Sequence, residues 1–400
     1  MPVPFRCRFP IVNNPARWLL MLALVLAAIN LRPGITSFAP LIERIAADLD
    51  LSRGLVSLTT ALPVLLMGLL APLAPRLAVR FGLERTLCLC LGLIALALLL
   101  RLLADIPWLL ILTAAMVGAG IAVAGPLISG FIKRYFLESV GRTAAFYSLS
   151  MAVGGTLGVV LTAPATELFG QRWPWGLALW AVPAVLALLV WTRLPNRPEP
   201  TAERSGGLPW REPRAWLVSI YFALQAGLFY ALATWLVARY HEAGFSAAQS
   251  NAFFSGFMLI GLPSAFLMPW LAQRFGKRHL MMAACSTLAT AALLVIALLP
   301  QAQPLLVCML LGVALNGTFS MSLVLPMYEA STPLAVSRLT AMMLCTGYSL
   351  ACFAPVLTGM GRDLAGSYQG PFLVLAMLAA VMSVLALRLA PRCTLSNQAD

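Results

Sequence analysis

The chain has 400 residues, 61% hydrophobic and only 10% charged, with a formal net charge of +13. That balance excludes an ordinary soluble domain, whose charged share is near a quarter. It predicts a membrane protein built of apolar runs of about 20 residues, the length a helix needs to cross a bilayer.

Such runs fall at 18–40, 54–75, 86–104, 107–132, 142–165, 174–193, 215–239, 249–272, 279–299, 304–328, 338–361 and 370–390. They predict an all-α protein of twelve transmembrane helices. Basic residues are retained on the cytoplasmic side, and Arg17, Arg76, Arg80, Arg85, Lys133, Arg134, Arg142, Arg197, Arg204, Arg274, Lys277, Arg278 and Arg388 all share one side if both termini are cytoplasmic. The opposite loops receive Arg44, Arg53, Arg101, Arg172, Arg239 and Arg362. Positive charge is therefore a topology signal and calls for no nucleic-acid partner. The first run is too long for a secretory signal and contains Arg32, so it reads as a retained helix.

Within that first helix, "INLRPGITSF" (29–38) places Arg32 inside an apolar segment. A cation there costs at least about 2.5–3.5 kcal/mol, so it should be paired or meet water. Pro33 has no N–H and removes the partner of the Ile29 carbonyl, so the helix should bend at this point. The guanidinium fork suits a small anion, and no Asp or Glu lies within a predicted span to neutralise it. The alternatives are a side chain that snorkels to the headgroups or bonds a neighbouring backbone carbonyl. At 100° per residue Thr36 shares the face of Arg32, while Asn30, Gly34 and Ser37 lie nearly opposite. Arg32 is thus the first candidate for substrate binding, Thr36 the second and Asn30 the third.

The second helix leads into the loop "APRLAVRFGLERTL" (74–87), and the eighth into the loop "MPWLAQRFGKRHLM" (268–281). Both contain P-x-L-A-x-R-F-G, and both follow the second helix of a set of six. The repeat predicts two parallel six-helix halves, 1–193 and 215–400, joined by a Pro-, Gly- and charge-rich cytoplasmic linker at 194–214. Arg80, Gly82, Arg274 and Gly276 are the conformational candidates in these loops. Gly154 and Gly158, spaced G-x-x-x-G in the fifth helix, read as packing contacts.

Other polar groups within spans need partners in lipid. They are Tyr147 in the fifth helix, Gln225, Tyr230 and Thr234 in the seventh, Asn316 in the tenth and Tyr348 in the eleventh. Interhelical hydrogen bonding and substrate binding are both open to each. Eight cysteines and two histidines show no metal-ligand spacing, and no nucleophile–base pair or phosphate loop appears, so neither a cofactor nor enzymatic activity is expected.

The basic repeats resemble the G-x-L-A-D-R-x-G-R-K loops of the major facilitator superfamily, with Val79 and Gln273 in place of the acidic residue and Pro75 and Pro269 in place of the leading glycine. "INLRPGITSFAPLI" (29–42), "FIKRYF" (131–136), "GLFYALATWL" (227–236) and "SRLTAMMLCTGYSLACFAPVLTG" (337–359) are similar to the cyanate and 2-nitroimidazole transporter family within it. The resemblance implies a major facilitator fold and an inner-membrane permease, monomeric, that moves a small anionic or polar solute by alternating access. Under it, the polar residues just named fall where the superfamily builds its central cavity. An exporter of drug-like or nitroheterocyclic compounds is the alternative. Moving an anion inward against about 100 mV costs roughly 2.3 kcal/mol, which makes a coupling proton relevant. Since no Asp, Glu or His falls within the interior of a span, such a proton would have to use a residue at a span end such as Glu43, Glu242 or Asp363, or travel on the substrate itself.

Overall fold

The computed structural model describes residues 15–38, 41, 44–45, 48–50, 53–104, 106–195 and 207–390. Glu43, Arg197, Arg204 and most of the expected linker lie outside the described residues.

The described chain is all-helical. Its elements are α1 (Pro15–Asn30), α2 (Pro33–Thr36), α3 (Arg53–Leu69), α4 (Leu73–Phe81), α5 (Leu83–Leu100), α6 (Pro107–Tyr135), α7 (Val140–Leu168), α8 (Trp173–Ala178) and α9 (Ala181–Trp191). They continue with α10 (Pro213–Glu242), α11 (Ala247–Phe275), α12 (Arg278–Leu298), α13 (Pro304–Glu329), α14 (Pro333–Ala351), α15 (Phe353–Ala365) and α16 (Gln369–Arg388). Among the described residues eleven helices are long and apolar enough to cross a membrane, or twelve when the bent pair Ala61–Leu69 and Leu73–Phe81 counts as one span.

Local sequence explains the boundaries. Proline occupies the first turn of α6, α10, α13 and α14, where its missing N–H costs nothing. Ser246 and Gln249 form a reciprocal capping box at the start of α11. At its other end Gly276 takes φ 65°, a left-handed conformation that closes the helix at little steric cost.

Helices α1, α7 and α9 pack together in the first half, as do α10, α14 and α16 in the second. The halves meet through α7 against α11 and α6 against α14. Glycine allows the closest approaches: a Cβ on Gly130 would strike Ser337 and the Pro333 carbonyl, and one on Gly141 would strike Gln273. Phe146 and Phe266 meet edge to face across the same seam, 5.5 Å between centroids. Lys133 adds a hydrogen bond from Nζ to the Met327 carbonyl, 2.8 Å. These contacts lie on the side of the molecule that carries Pro15 and Arg388.

The second span breaks after Leu69 and resumes at Leu73 with a 65° bend. Two expectations are corrected. The P-x-L-A-x-R-F motif is helix rather than loop, since Pro75–Phe81 completes α4 and Pro269–Phe275 completes α11, leaving only the glycines at the turns. Arg101 and Arg239 are not solvated loop residues but are 0% and 7% exposed. Arg239 lies inside α10 and donates to the carbonyls of Ile296 and Ala297, so its long side chain fills the joint between two spans instead of reaching water.

Candidate functional site

The break in the first span builds the site. Helix α1 stops at Asn30, the Leu31 amide reaches back only to Ala28 (3.2 Å), and α2 starts at Pro33. Pro33 cannot donate to Ile29, so that carbonyl is turned towards α7, where Gly154 has no side chain to obstruct it. Gly158, one turn on, admits Thr36 and Pro33 in the same way. The G-x-x-x-G pair thus lets a broken helix lie directly on a whole one.

Arg32 leaves the break and enters a small cavity of about 30 Å³ together with Tyr147, Met151, Phe319, Tyr348 and Met67. Its guanidinium stands 5.6 Å above the Phe319 ring centroid, a favourable cation–π placement. Among the described residues it makes no hydrogen bond or ion pair. The Tyr348 ring meets Phe222 edge to face at 5.4 Å and lies 6.5 Å from Tyr230. The field of Arg32 reaches the phenols of Tyr147, Tyr230 and Tyr348, and none of those hydroxyls bonds a described residue. One cation and two phenols, those of Tyr147 and Tyr348, therefore line one cavity with hydrogen-bonding capacity unspent, and Tyr230 lies behind Tyr348.

The remaining polar candidates are engaged elsewhere. Asn30 donates to the carbonyls of Leu26 (2.7 Å) and Pro183 (3.0 Å), stapling α1 to α9. Thr36 donates to Gly155 (3.0 Å) and Arg32 (3.2 Å) carbonyls, which spends its hydroxyl on the backbone. Gln225 donates to Leu315, leaving its buried Oε1 without a partner. Asn316 donates to Gly312 and packs on Gly261, and Thr234 donates to Tyr230 within its own helix. Phe319, Met67 and Met151 line the cavity although nothing in their apolar surroundings marked them.

At the helix ends Arg80 lies over Phe81 at 5.2 Å, and Arg274 over Trp270 at 5.5 Å. Gly82 (φ 89°) and Gly276 (φ 65°) make the two turns. Of the span-end acids, Glu242 accepts from Arg239 (3.1 Å) and from the Tyr368 amide (2.9 Å), while Asp363 stands 3.5 Å from Arg362. No group of His, Cys, Asp or Glu among the described residues could hold a metal ion.

A family model described as Major Facilitator Superfamily matches residues 19–355. The cyanate transport protein of Escherichia coli (strain K12) is 32% identical over 375 residues, covering 93% of this chain and 97% of that protein. The 2-nitroimidazole transporter of the same organism is 29% identical over 384 residues, covering 94% and 96%. Among solved structures, a Major Facilitator Superfamily transporter, FucP, in the outward conformation superposes with a TM-score of 0.76 at 15% identity, covering 94% of this chain and 99% of that one.

Proposed function

We propose a function on one premise: the chain belongs to the Major Facilitator Superfamily, and is a multi-pass protein of the cell inner membrane. It acts as a secondary transporter for a small anion of cyanate type, bound at Arg32 between the two halves and moved by alternating access. The observation that carries this reading is the Arg32 guanidinium, which enters the cavity without a hydrogen bond or ion pair among the described residues. A half-buried, unpaired cation within a membrane span is costly unless a counter-charge arrives. Tyr147 and Tyr348 supply neutral donors for the remaining lone pairs of such an anion, and the Phe319 face steadies the guanidinium between visits.

The halves are 1–193 and 215–400, hinged by the linker 194–214, with both chain ends in the cytoplasm. The seam formed by Lys133, Gly130 and Gly141 is then the cytoplasmic gate, and the described conformation is closed on that side. Asn30, Thr36 and Gln225 tie neighbouring helices together through backbone carbonyls, and Asn316 packs on Gly261 of the adjoining helix. Protons, if coupled, enter at Glu242 or Asp363 or on the substrate itself.

Uptake of cyanate into cells, measured at matched expression, tests the proposal. Arg32→Ala should abolish transport and Arg32→Lys should retain a weakened activity, because the charge stays but the fork is lost. Full transport by the alanine variant removes Arg32 from the mechanism. The aromatic walls favour a second substrate class, planar nitroheterocycles, for which the cavity would have to widen; a susceptibility panel with 2-nitroimidazole in strains with and without the protein distinguishes the two.

A further inference from the structure

Arg101 and Arg239 are the arginines buried among the described residues, and Arg101 reaches the segment that carries Arg32. It begins the single 3-10 turn (Arg101–Leu103) that follows α5, on the side away from the chain ends. A basic residue at such a place ordinarily snorkels outward to the headgroups. Here the side chain turns inward and is 0% exposed. Its Nη2 donates to the Gly34 carbonyl at 2.7 Å, and its guanidinium lies 4.4 Å from the Phe38 ring centroid. Around it Phe38, Leu110, Ala114, Trp173 and Leu177 form a small apolar cluster separate from the main core.

The Gly34 carbonyl is available because α2 ends after Thr36. In a continuing helix the Phe38 amide would reach it, but that amide bonds Ile35 instead, at 3.4 Å. Two carbonyls on opposite sides of Arg32 are thus free, Ile29 at the break and Gly34 at the end of α2. Gly154 of α7 lies against the first and Arg101 takes the second. Gly34 is also tightly seated, since a Cβ there would strike Val117 of α6. Arg101 keeps Nε and Nη1 unbonded in this environment, a cost that an apolar side chain of similar volume would avoid. What an apolar side chain could not do is hold the carbonyl.

We propose that Arg101 is a positioning residue for Arg32: its bond to Gly34 and its stack on Phe38 fix residues 31–38 in the broken conformation that aims the Arg32 guanidinium into the cavity. Arg101 touches no solute and acts only through the segment it pins. The inference that this matters for affinity rests on the proposed cyanate site, while the pin itself does not.

Hydrogen exchange on the full purified chain tests the pin without any substrate. Arg101→Met should speed exchange of the amides in 31–38 about tenfold or more, as expected for losing a charge-assisted bond, with α12 and α16 unchanged. Arg101→Lys, which can still donate to Gly34, should restore much of the protection. In parallel, cyanate binding read as a thermal shift should weaken about tenfold in Arg101→Met, with the maximal transport rate less affected than KM. Unchanged exchange in 31–38 overturns the proposal, and so does faster exchange accompanied by wild-type cyanate affinity. Uniformly faster exchange through all helices also overturns it, because Arg101 would then be a general stabilising residue. If the unaltered protein does not respond to cyanate, the substrate reading fails and the exchange result alone decides whether Arg101 fixes the Arg32 segment.

Discussion

Lys133 donates from Nζ to the backbone carbonyl of Met327, 2.8 Å away and 194 residues later in the chain. The same spacing relates Arg80 to Arg274 and Gly82 to Gly276, so Lys133 bonds the residue that occupies its own place in the other repeat. Such a contact can form only beside the axis that relates the two halves, and it joins them on the side of the chain ends. Lys133→Met keeps the stem and removes the donor. A hydrogen bond from a charged group contributes about 1.5–3 kcal/mol, so the variant should shift the balance towards halves parted on that side by about tenfold. Distances between spin labels placed at the ends of α6 and α13 read that balance directly, and an unchanged distance distribution removes Lys133 from gating.

The repeat also exchanges charges at that side. In the first half Glu84 accepts from Arg134 (2.9 Å) and from the Tyr135 hydroxyl (2.8 Å). In the second half the place of Glu84 is taken by Arg278 and that of Tyr135 by Glu329, and these two lie 3.6 Å apart. Arg214 adds a fork onto Glu329 at 2.8 and 3.1 Å, and Arg278 stacks over Tyr328 at 4.5 Å. Glu84 is 2% exposed, and removing one member of a buried pair costs about 3–5 kcal/mol. Glu84→Ala should therefore lower the melting temperature sharply, and the double variant with Arg134→Ala should lose less than the sum of the singles. Strict additivity would show that the two residues do not act as a pair.

Pro33 made the helix break readable in the sequence, and the paired P-x-L-A-x-R-F-G motifs made the repeat readable, because both depend on local backbone chemistry. The partners of Arg32 were less so. Phe319 is one apolar residue among many, and only the crossing of α13 past the break brings it under the guanidinium. Thr36 shares the face of Arg32 as helical geometry requires, yet its hydroxyl is used by the Gly155 carbonyl, which belongs to a neighbouring helix. Arg101 falls three residues before the end of the apolar run 86–104, and its charge alone sorts it with the loop residues. A single 3-10 turn that folds inward leaves no mark in the sequence.

The crossing of the first span over α7 should be intolerant of side chains. A Cβ on Gly154 would meet the Ile29 carbonyl, and one on Gly158 would meet Thr36 and the Pro33 backbone, whereas a Cβ on Gly125 meets only the end of Leu344 at 3.4 Å. Overpacking costs about 1–3 kcal/mol, so Gly154→Ala and Gly158→Ala should each reduce the folded yield in detergent, with Gly125→Ala close to unaltered. Size-exclusion profiles of the three proteins at equal expression compare them. Equal monodisperse yields would mean that the helices separate at little cost.

Affinity and stability should divide between two groups of polar residues. The hydroxyls of Tyr147 and Tyr348 face the cavity of Arg32 without a hydrogen bond to any described residue. Their loss strands no partner, so Tyr147→Phe and Tyr348→Phe should melt close to the unaltered protein. If each hydroxyl donates to a bound anion, each substitution should raise KM for cyanate about tenfold, the effect of losing a bond to a charged acceptor. Asn30 and Asn316 carry the opposite expectation. Asn30 is 2% exposed and bonds Pro183, and Asn316 packs on Gly261 of the adjoining helix, so alanine at either position deprives a packed joint of an interaction and should lower the melting temperature while leaving KM nearly unchanged. Melting curves and transport kinetics on the four variants therefore separate the solute-facing groups from those that hold the walls. A rise in KM confined to the asparagine variants would place the anion on the opposite face of the first span.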